Sequence, residues 1–494
     1  MSSITTTISS TLSSVVTALS PTLLAHFQYT YLWVVIVGFI LAFFVGFGMG
    51  AIDVANTFGT SIGSKVLTHK QAYMLASLLI VAGAVLVGKN VTDTLREKII
   101  DVDLYKNAPQ ELLVGQVAIL GAVSFWLIIA SLGSVPVAST HSIVGALIGF
   151  SVFMKGWQGV HWSMVVEIVI AWIISPILGG ITSSTLYMIV DFAILRRKEP
   201  LKCGLRMLPV FYFFVVAFLT FTITFQGLVV FGVSHVPVLL CIAISIVCGL
   251  IASVLVQLVE PWLIKWIKNK ENLQFNLSTV EDVNMNKIPI SNIPRIPYYT
   301  QPKFEMNAKG IIKWFFPAKE REEDKETIQM FSALQVFTAC FGAFAFGAND
   351  ISHVISSITV ITSIYHSMNV DQNEPTPLYI YLYGSLAISV GLWCLGHKVI
   401  KTIGKKMTII NPCSGFTIEF GMALITLMAS KVGIPVSTTQ CMVGSVVGVG
   451  LVKSGEGIKW KIILYTVISW VVTLPSSGLL TVAIMFVLKH FFLK

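Results

Sequence analysis

The sequence predicts an all-α polytopic membrane protein of about 12 transmembrane helices, built from an inverted repeat. The first observation is composition, because 55% of the 494 residues are hydrophobic, 12% are charged and the mean hydropathy is +0.81. Soluble domains carry a charged fraction of roughly 25%. The second observation is the recurrence of apolar runs long enough to cross about 30 Å of hydrocarbon. The third is that two sequence motifs occur once in each half of the chain.

The apolar runs cover most of the chain and alternate with polar connections. They lie near residues 33–57, 71–88, 112–133, 136–154, 162–191, 207–232, 236–264, 331–361, 377–396, 412–430, 435–452 and 460–488. The third and fourth runs, like the tenth and eleventh, also fit re-entrant hairpins instead of full crossings. Hairpins would remove two crossings at a time and would leave the sides of the other connections unchanged.

The domain organisation follows from these runs. The stretch 265–330 is polar, contains three prolines between Pro289 and Pro297, and is predicted to be a linker instead of a folded domain. The remaining predicted parts are a polar leader (1–32), the first repeat half (33–191), connecting transmembrane helices (192–264) and the second repeat half (331–494).

The lysines and arginines predict the orientation in the membrane. They concentrate in alternate connections, most strongly in 192–206 and in the linker 265–330, whereas the loop 362–376 contains none. The positive-inside rule therefore places both termini outside and the linker in the cytoplasm, and we expect the plasma membrane. The net charge of +9 is explained by this topology, so no nucleic-acid partner is predicted.

The repeat is visible in two pairs of motifs. FFVGFGMGAIDVANTFGT (43–60) matches FGAFAFGANDISHVISSI (341–358), which makes Asp53 and Asp350 equivalent. VPVASTHSIVGALIGFS matches IPVSTTQCMVGSVVGVG, at 135–151 and 434–450 respectively. The second copy begins after an odd number of predicted crossings, so the two halves face opposite ways. Inverted repeats of this kind are typical of secondary transporters, whose site lies where the halves meet.

Asp53 and Asp350 are candidate cation ligands. A carboxylate inside an apolar run is costly unless it is paired, hydrated or bound to a cation. Sodium ions and protons are the natural occupants, since hard cations prefer oxygen ligands. The alternative is that both aspartates cap broken helices.

The proline-hydroxyl segments predict a different chemistry. Proline followed by Ser or Thr suits the first turn of a helix, where free backbone N–H groups and the dipole attract an anion. The hydroxyl groups come from Ser139, Thr140, Ser437, Thr438 and Thr439. The alternative is that these residues only cap the helices and allow close packing.

With these residues the sequence resembles the inorganic phosphate transporter (PiT) family, whose members are sodium- or proton-coupled phosphate symporters. The resemblance covers nearly the entire chain and is carried, in order, by GAIDVANTFGTSIGSKVLTHKQA, EKIIDVDLY, PVASTHSIVGA, SGFTIEF and PVSTTQCMVGSVVGVG. It implies that phosphate is bound by Asn56, Ser139, Thr140, Asn349, Ser437, Thr438 and Thr439. It implies sodium binding by Asp53, Asp350 and Glu419, since Glu419 matches a glutamate that family members need for phosphate transport.

The sequence departs from the family pattern at several positions. Ile52 and His353 stand where the signatures usually have asparagine, and Gln440 stands where histidine is common. Ile80 replaces a glutamate of many animal relatives. The two half-sites are therefore expected to be chemically unequal. His353 and His141 are candidate proton or cation modulators, although a single histidine in a packed helix is more often simply hydrogen-bonded.

The resemblance implies a cation-coupled symporter of inorganic phosphate, with sodium as the co-transported ion and without a cofactor. Proton coupling is the first alternative, and a membrane receptor or scaffold with vestigial transport is the second. An enzyme is not predicted, since the sequence contains no nucleotide-binding loop, no metal-ligand cluster and no nucleophile paired with a base. Membrane lipid is an expected partner, and homo-oligomerisation is left open.

Overall fold

The computed structural model describes residues 2–54, 57–133, 135, 137–226, 236–282, 307, 314–317, 324–372, 374–406, 410–453 and 458–493. Helices form nearly all of these ranges. The β pairing within them is a single antiparallel bridge between Ile100 and Val160. The expected all-α class is confirmed for this part of the chain.

The α-helices are numbered in chain order. The first half and the connecting region contain α1 (Ser2–Met49), α2 (Gly59–Gly63), α3 (His69–Val87), α4 (Lys89–Asp93), α5 (Pro109–Leu132), α6 (Ser139–Lys155), α7 (Trp162–Val190), α8 (Pro200–Gln226) and α9 (Val238–Asp282). The second half contains α10 (Lys325–Asn349), α11 (Ser352–Ser367), α12 (Leu378–Lys406), α13 (Pro412–Val432), α14 (Thr438–Val452) and α15 (Trp460–Phe492). π-helical turns follow three elements, at Gly50–Val54, Thr94–Lys98 and Asp191–Leu195.

The number of long apolar segments is lower than the number of predicted runs. Within the described ranges, 10 helical segments are long and apolar enough to cross a membrane. One of them begins at Thr22 inside α1, a helix that also covers the stretch assigned to the polar leader. The helices α6 and α14, with 17 and 15 residues, are shorter than a full crossing requires. Their lengths favour the re-entrant arrangement of the hairpins α5–α6 and α13–α14.

The two halves exchange partners when they pack. Helix α6 of the first half packs on α15 of the second, and its repeat equivalent α14 packs on α7 of the first. The contact between α3 and α10 likewise has its repeat equivalent in the contact between α12 and α1. Within the halves, the contact between α1 and α5 corresponds to the contact between α10 and α13. The repeat seen in two short motifs therefore extends to the tertiary packing of both halves.

Glycines set the distance between the exchanged helices. A Cβ atom on Gly145 of α6 would lie 2.3 Å from the backbone oxygen of Leu474 in α15. The equivalent Gly444 of α14 would bring a Cβ to 2.0 Å from the oxygen of Pro176 in α7. Any larger side chain would push the backbones apart, so these positions hold each hairpin close to the opposite half.

Candidate functional site

Asp53 lies where the first helix changes its winding. Helix α1 ends at Met49, and the π-helical turn Gly50–Val54 carries the aspartate, which is buried. Gly50 lets this turn touch α12, since a Cβ there would come within 1.9 Å of the oxygen of Ile388. Because single π-helical turns interrupt regular backbone hydrogen bonding, they frequently occur at functional sites.

The Asp53 carboxylate has one satisfied and one unsatisfied oxygen. Its Oδ1 accepts a hydrogen bond of 2.8 Å from the hydroxyl of Thr439, at the start of α14. The hydroxyl of Ser139, at the start of α6, also faces this carboxylate. Its Oδ2 is buried without a hydrogen-bond partner. Asp53 therefore joins the N-terminal ends of both short helices and keeps one oxygen free for a ligand.

Asp350 occupies the equivalent break in the second half. It follows α10 as the C-cap residue, is buried, and has the hydroxyl of Thr438 as a neighbour. Its Oδ2 has no hydrogen-bond partner. The carboxylates of Asp350 and Asp53 lie near enough for their charges to interact. Two buried like charges at one centre repel unless a proton or a cation lies between them.

Asn349 and Thr140 both donate to the same backbone group. The Asn349 Nδ2 donates to the Val436 carbonyl over 2.7 Å, and the Thr140 hydroxyl donates to it over 3.2 Å. These bonds fix the segment that precedes α14. The Asn349 Oδ1 stays without a partner, whereas Ser437 accepts from the Gln440 N–H as the N-cap of α14. Capping is therefore present at Ser437, and Asn349 still presents a free oxygen.

The histidines at the centre are both buried. The Nδ1 of His353 lies 3.4 Å from the Ser139 hydroxyl and 3.9 Å from the Asp350 carboxylate, and its Nε2 has no partner. His141 stacks on the ring of Trp172, with ring centroids 3.8 Å apart. Trp172 itself donates to the carbonyl of Pro435, so the stack is fixed to the segment before α14.

His141 and Gln440 are equivalent in the repeat and touch each other. The Gln440 Nε2 lies 3.3 Å from the His141 Nε2. With the amide nitrogen as the donor, the acceptor is the Nε2 of a neutral imidazole that carries its proton on Nδ1. Equivalent residues in contact mark the axis that relates the two halves. The site is therefore centred between the two short helices.

Six polar atoms at this centre are buried without a hydrogen-bond partner. They are Asp53 Oδ2, Asn349 Oδ1, Asp350 Oδ2, Gln440 Oε1, His141 Nδ1 and His353 Nε2. Most buried polar atoms of native proteins are paired, so a cluster of unpaired ones indicates a ligand site. Four of them are acceptor oxygens, which suit a hard cation. The converging N-termini of α6 and α14 provide N–H groups and hydroxyls for an anion.

Glu419 forms a separate cluster on α13. Its Oε1 accepts from the hydroxyls of Thr60 and Ser61, each at 2.5 Å, and from the Gln335 amide at 3.3 Å. Its Oε2 accepts from the hydroxyl of Thr338 at 2.8 Å. All four partners are neutral, and the carboxylate is fully buried. The structure therefore groups the eleven described candidate residues into a centre around the two aspartates and a second cluster around Glu419.

The sequence interpretation missed the partners of Glu419. Thr60 ends the first repeat motif, Ser61 follows it, and Gln335 and Thr338 are polar residues within an apolar helix. Their three-residue spacing predicts that Gln335 and Thr338 share a face of the helix, but nothing local connects them to Glu419. Asn56, the remaining predicted site residue, lies outside the described residues.

Two inverted halves with broken helices, meeting at buried carboxylates and helix N-termini, define the class of secondary transporters. The comparisons agree with this class. A model of the phosphate transporter family matches residues 49–481. The chain is 31% identical to sodium-dependent phosphate transporter 2 of Bos taurus, over 93% of this chain and 98% of that protein. It is 30% identical to sodium-dependent phosphate transporter 1 of Rattus norvegicus, over 98% and 99% of the two chains.

The same likeness is found in three dimensions. A solved structure described as "The sodium-dependent phosphate transporter" has a TM-score of 0.76 and 28% sequence identity to this chain. The match covers 93% of this chain and 99% of the other. The chain belongs to the phosphate transporter family. The family resemblance drawn from the motifs is thereby confirmed, and the protein is an integral membrane protein.

Proposed function

We propose that this protein is a symporter that carries inorganic phosphate across the plasma membrane together with sodium. The observation that carries the proposal is the cluster of six unpaired buried polar atoms beside the N-termini of α6 and α14. Acceptor oxygens suit sodium, and helix N-termini suit an oxyanion. The names of the relatives from Bos taurus and Rattus norvegicus support both substrates.

In this proposal the binding of sodium and the binding of phosphate are coupled. Sodium binds at Asp53 and Asp350, with Glu419 as a further ligand in its own cluster. Phosphate binds at Ser139, Thr140, Ser437, Thr438 and Thr439, with the amides of Asn56 and Asn349. Unneutralised carboxylates would repel phosphate across a medium of low dielectric constant, so sodium binding raises phosphate affinity. Linkage then requires that phosphate raise sodium affinity by the same factor.

Uptake of radiolabelled phosphate into proteoliposomes tests the proposal. We expect accumulation that requires an inward sodium gradient and that ends when potassium replaces sodium. Accumulation driven equally well by a proton gradient without sodium would support the first alternative. An absence of uptake from a well-folded preparation would support a receptor or scaffold.

The orientation is part of the proposal, with both termini outside and the 265–330 linker in the cytoplasm. Contacts between connections that the proposal places on the same side of the membrane support this orientation. Lys106 and Asp371 lie 3.9 Å apart, and both were assigned to the outside. Lys453, which follows α14 on the proposed cytoplasmic side, lies 3.5 Å from Ser414 in the first turn of α13. This end of α13 adjoins the connection from α12, which the proposal also places in the cytoplasm.

Cysteine labelling is expected to report this orientation. In a cysteine-free background and in sealed right-side-out cells, Asn369→Cys should react with an impermeant maleimide, because Asn369 is exposed. Val280→Cys in the linker should react only after permeabilisation. Thr92 is unsuitable as an outside position, since its side chain is buried. Labelling of residue 280 in sealed cells would reverse the orientation.

The residues Asn90-Val91-Thr92 form an N-glycosylation sequon. In the folded protein this sequon is a poor glycosylation site. The Asn90 Nδ2 donates to the Lys431 carbonyl over 2.8 Å, and the Thr92 hydroxyl is bonded to Gly88 and Ser352 inside the protein. Both side chains that a glycosyltransferase must reach are therefore engaged in tertiary contacts.

His353 is expected to make sodium binding depend on pH. A neutral imidazole beside Asp350 can accept a hydrogen bond or coordinate a cation, whereas a protonated one adds a positive charge that competes with sodium. Apparent sodium affinity for uptake should therefore fall as the pH drops, and His353→Asn should remove this dependence while transport continues. The measurement must correct for the ratio of mono- to dianionic phosphate. Identical corrected pH profiles in the two proteins would assign His353 to packing alone.

A further inference from the structure

A groove made of two adjoining cavities lies along the end of α7. Its inner part is a cavity of about 270 Å³ between α7, α8 and α13, with a wholly apolar wall that includes Phe211 and Phe420. Its outer part is a cavity of about 460 Å³ beside Phe192 and Phe315. Ile189 lines both cavities, so they adjoin at this residue, and together they are called the groove below.

The outer end of the groove is basic. Arg197 forms part of the wall, and it forms no ion pair within the described part of the chain. Lys198 is exposed in the same connection between α7 and α8, and Lys202 is exposed in the first turn of α8. Lys202 is paired with Glu199 at 2.9 Å, which leaves Arg197 and the adjacent Lys198 to face an external anion.

Arg196 has a different role from its neighbour. It forms an ion pair with the buried Asp191 and donates to the backbone carbonyls of Trp314 and Phe315. These bonds hold Phe315 against the end of α7, where its ring packs on Phe192 with centroids 5.6 Å apart. The aromatic wall of the outer cavity is therefore fixed by charged hydrogen bonds and does not depend on apolar packing alone.

We propose that this groove is a binding site for an anionic phospholipid. The acyl chain occupies the apolar part along α7, and the phosphate of the headgroup contacts Arg197 and Lys198. An apolar groove alone accepts the tail of any lipid, so the basic end is what selects a negatively charged headgroup. The groove is apolar in its inner part and basic at its outer end, which matches the polarity of one amphipathic molecule with its charged end at the membrane surface.

The groove also reaches the helix of the second cluster. Phe416 and Phe420 line its inner cavity, and they flank Glu419 on α13. A bound acyl chain would therefore contact the helix that presents Glu419 to Thr60 and Ser61. An effect of the lipid on transport would rest on the proposed function, whereas the binding itself does not.

Photo-crosslinking tests the binding directly. The full-length protein is placed in phosphatidylcholine nanodiscs with the same small fraction of photoactivatable phosphatidylserine or photoactivatable phosphatidylcholine. After irradiation, mass spectrometry maps the modified peptides. We expect phosphatidylserine adducts within 185–193 and 207–215 at about fivefold the yield of phosphatidylcholine adducts. The double variant Arg197→Gln/Lys198→Gln should lower the yield to that of phosphatidylcholine.

The matched control is Lys459→Gln/Lys461→Gln, which removes two exposed basic residues at the start of α15, away from the groove. It should retain the wild-type preference for phosphatidylserine. Equal yields for the two lipids in the wild type would overturn the proposal. So would a groove that neither lipid modifies, as expected if another part of the chain covers it. Competition by millimolar inorganic phosphate would likewise contradict a lipid site, because it would identify a site for free anions.

Discussion

Asp53→Asn and Asp350→Asn are each expected to reduce sodium-coupled phosphate uptake roughly 100-fold or more. Each substitution removes the negative charge that faces the buried sodium ion of the proposal, and leaving a buried charge without its partner costs about 3 kcal/mol, which corresponds to this factor. The folded state should tolerate both changes, since asparagine has the shape of aspartate and relieves the repulsion between the two carboxylates. Initial rates of radiolabelled phosphate uptake at several sodium concentrations, with thermal unfolding measured in parallel, give both quantities.

Asp103→Asn is the matched control. Asp103 is an exposed aspartate paired with Lys106 on the surface, and such pairs contribute little. It should leave uptake unchanged. Near wild-type uptake with unchanged sodium dependence in both Asp53→Asn and Asp350→Asn would refute the assignment of these carboxylates to sodium.

Two substitutions of Glu419 are expected to distinguish its role as a hydrogen-bond acceptor in folding from the role of its negative charge in transport. Glu419→Leu removes the acceptor shared by Thr60, Ser61, Gln335 and Thr338 and leaves buried donors unpaired. Such a change costs roughly 1–3 kcal/mol for each unsatisfied group, so we expect poor folding. Glu419→Gln keeps one acceptor oxygen and should fold, but it lacks the negative charge and should transport phosphate at least about tenfold more slowly.

The matched control for Glu419→Gln is the same substitution at a glutamate of the other repeat half. Glu111 lies in the first turn of α5, the equivalent of α13, and is paired with Lys155 at 2.7 Å in a partly exposed position. Glu111→Gln should fold and transport normally. A Glu419→Gln protein with unchanged uptake would show that the cluster serves only to hold α2 and α10 against α13.

The sequence was sufficient for the helical membrane fold and for the pairing of Asp53 with Asp350. Long apolar runs directly indicate segments that cross the bilayer, and a duplicated motif indicates two equivalent halves without any tertiary information. The exact number of crossings was less predictable. The helices α6 and α14 are largely apolar after their polar first turns, but they are too short to cross, and their packing against the opposite half explains how they are accommodated.

The arrangement around the candidate centre could be predicted only in part. The repeat made His141 equivalent to Gln440, yet their contact depends on the position of the axis between the halves, which the sequence does not give. The hydrogen-bond partners of Glu419 could not be predicted either, because Thr60 and Gln335 come from helices that are distant in sequence. Hydroxyl and amide side chains occur widely in apolar helices, so their types alone do not indicate a carboxylate nearby.

The exchange of partners between α6–α15 and α14–α7 also constrains how the chain matures. The glycine-lined face of α6 has no complement until α15, which is synthesised after the other described helices, has entered the membrane. Until then, the first hairpin is inserted but unassembled, and the closely packed faces of Gly145 and Gly149 are open to lipid or to chaperones. Neither half is a self-contained folding unit. Final assembly of this protein therefore follows the insertion of α15, when the two halves close on each other.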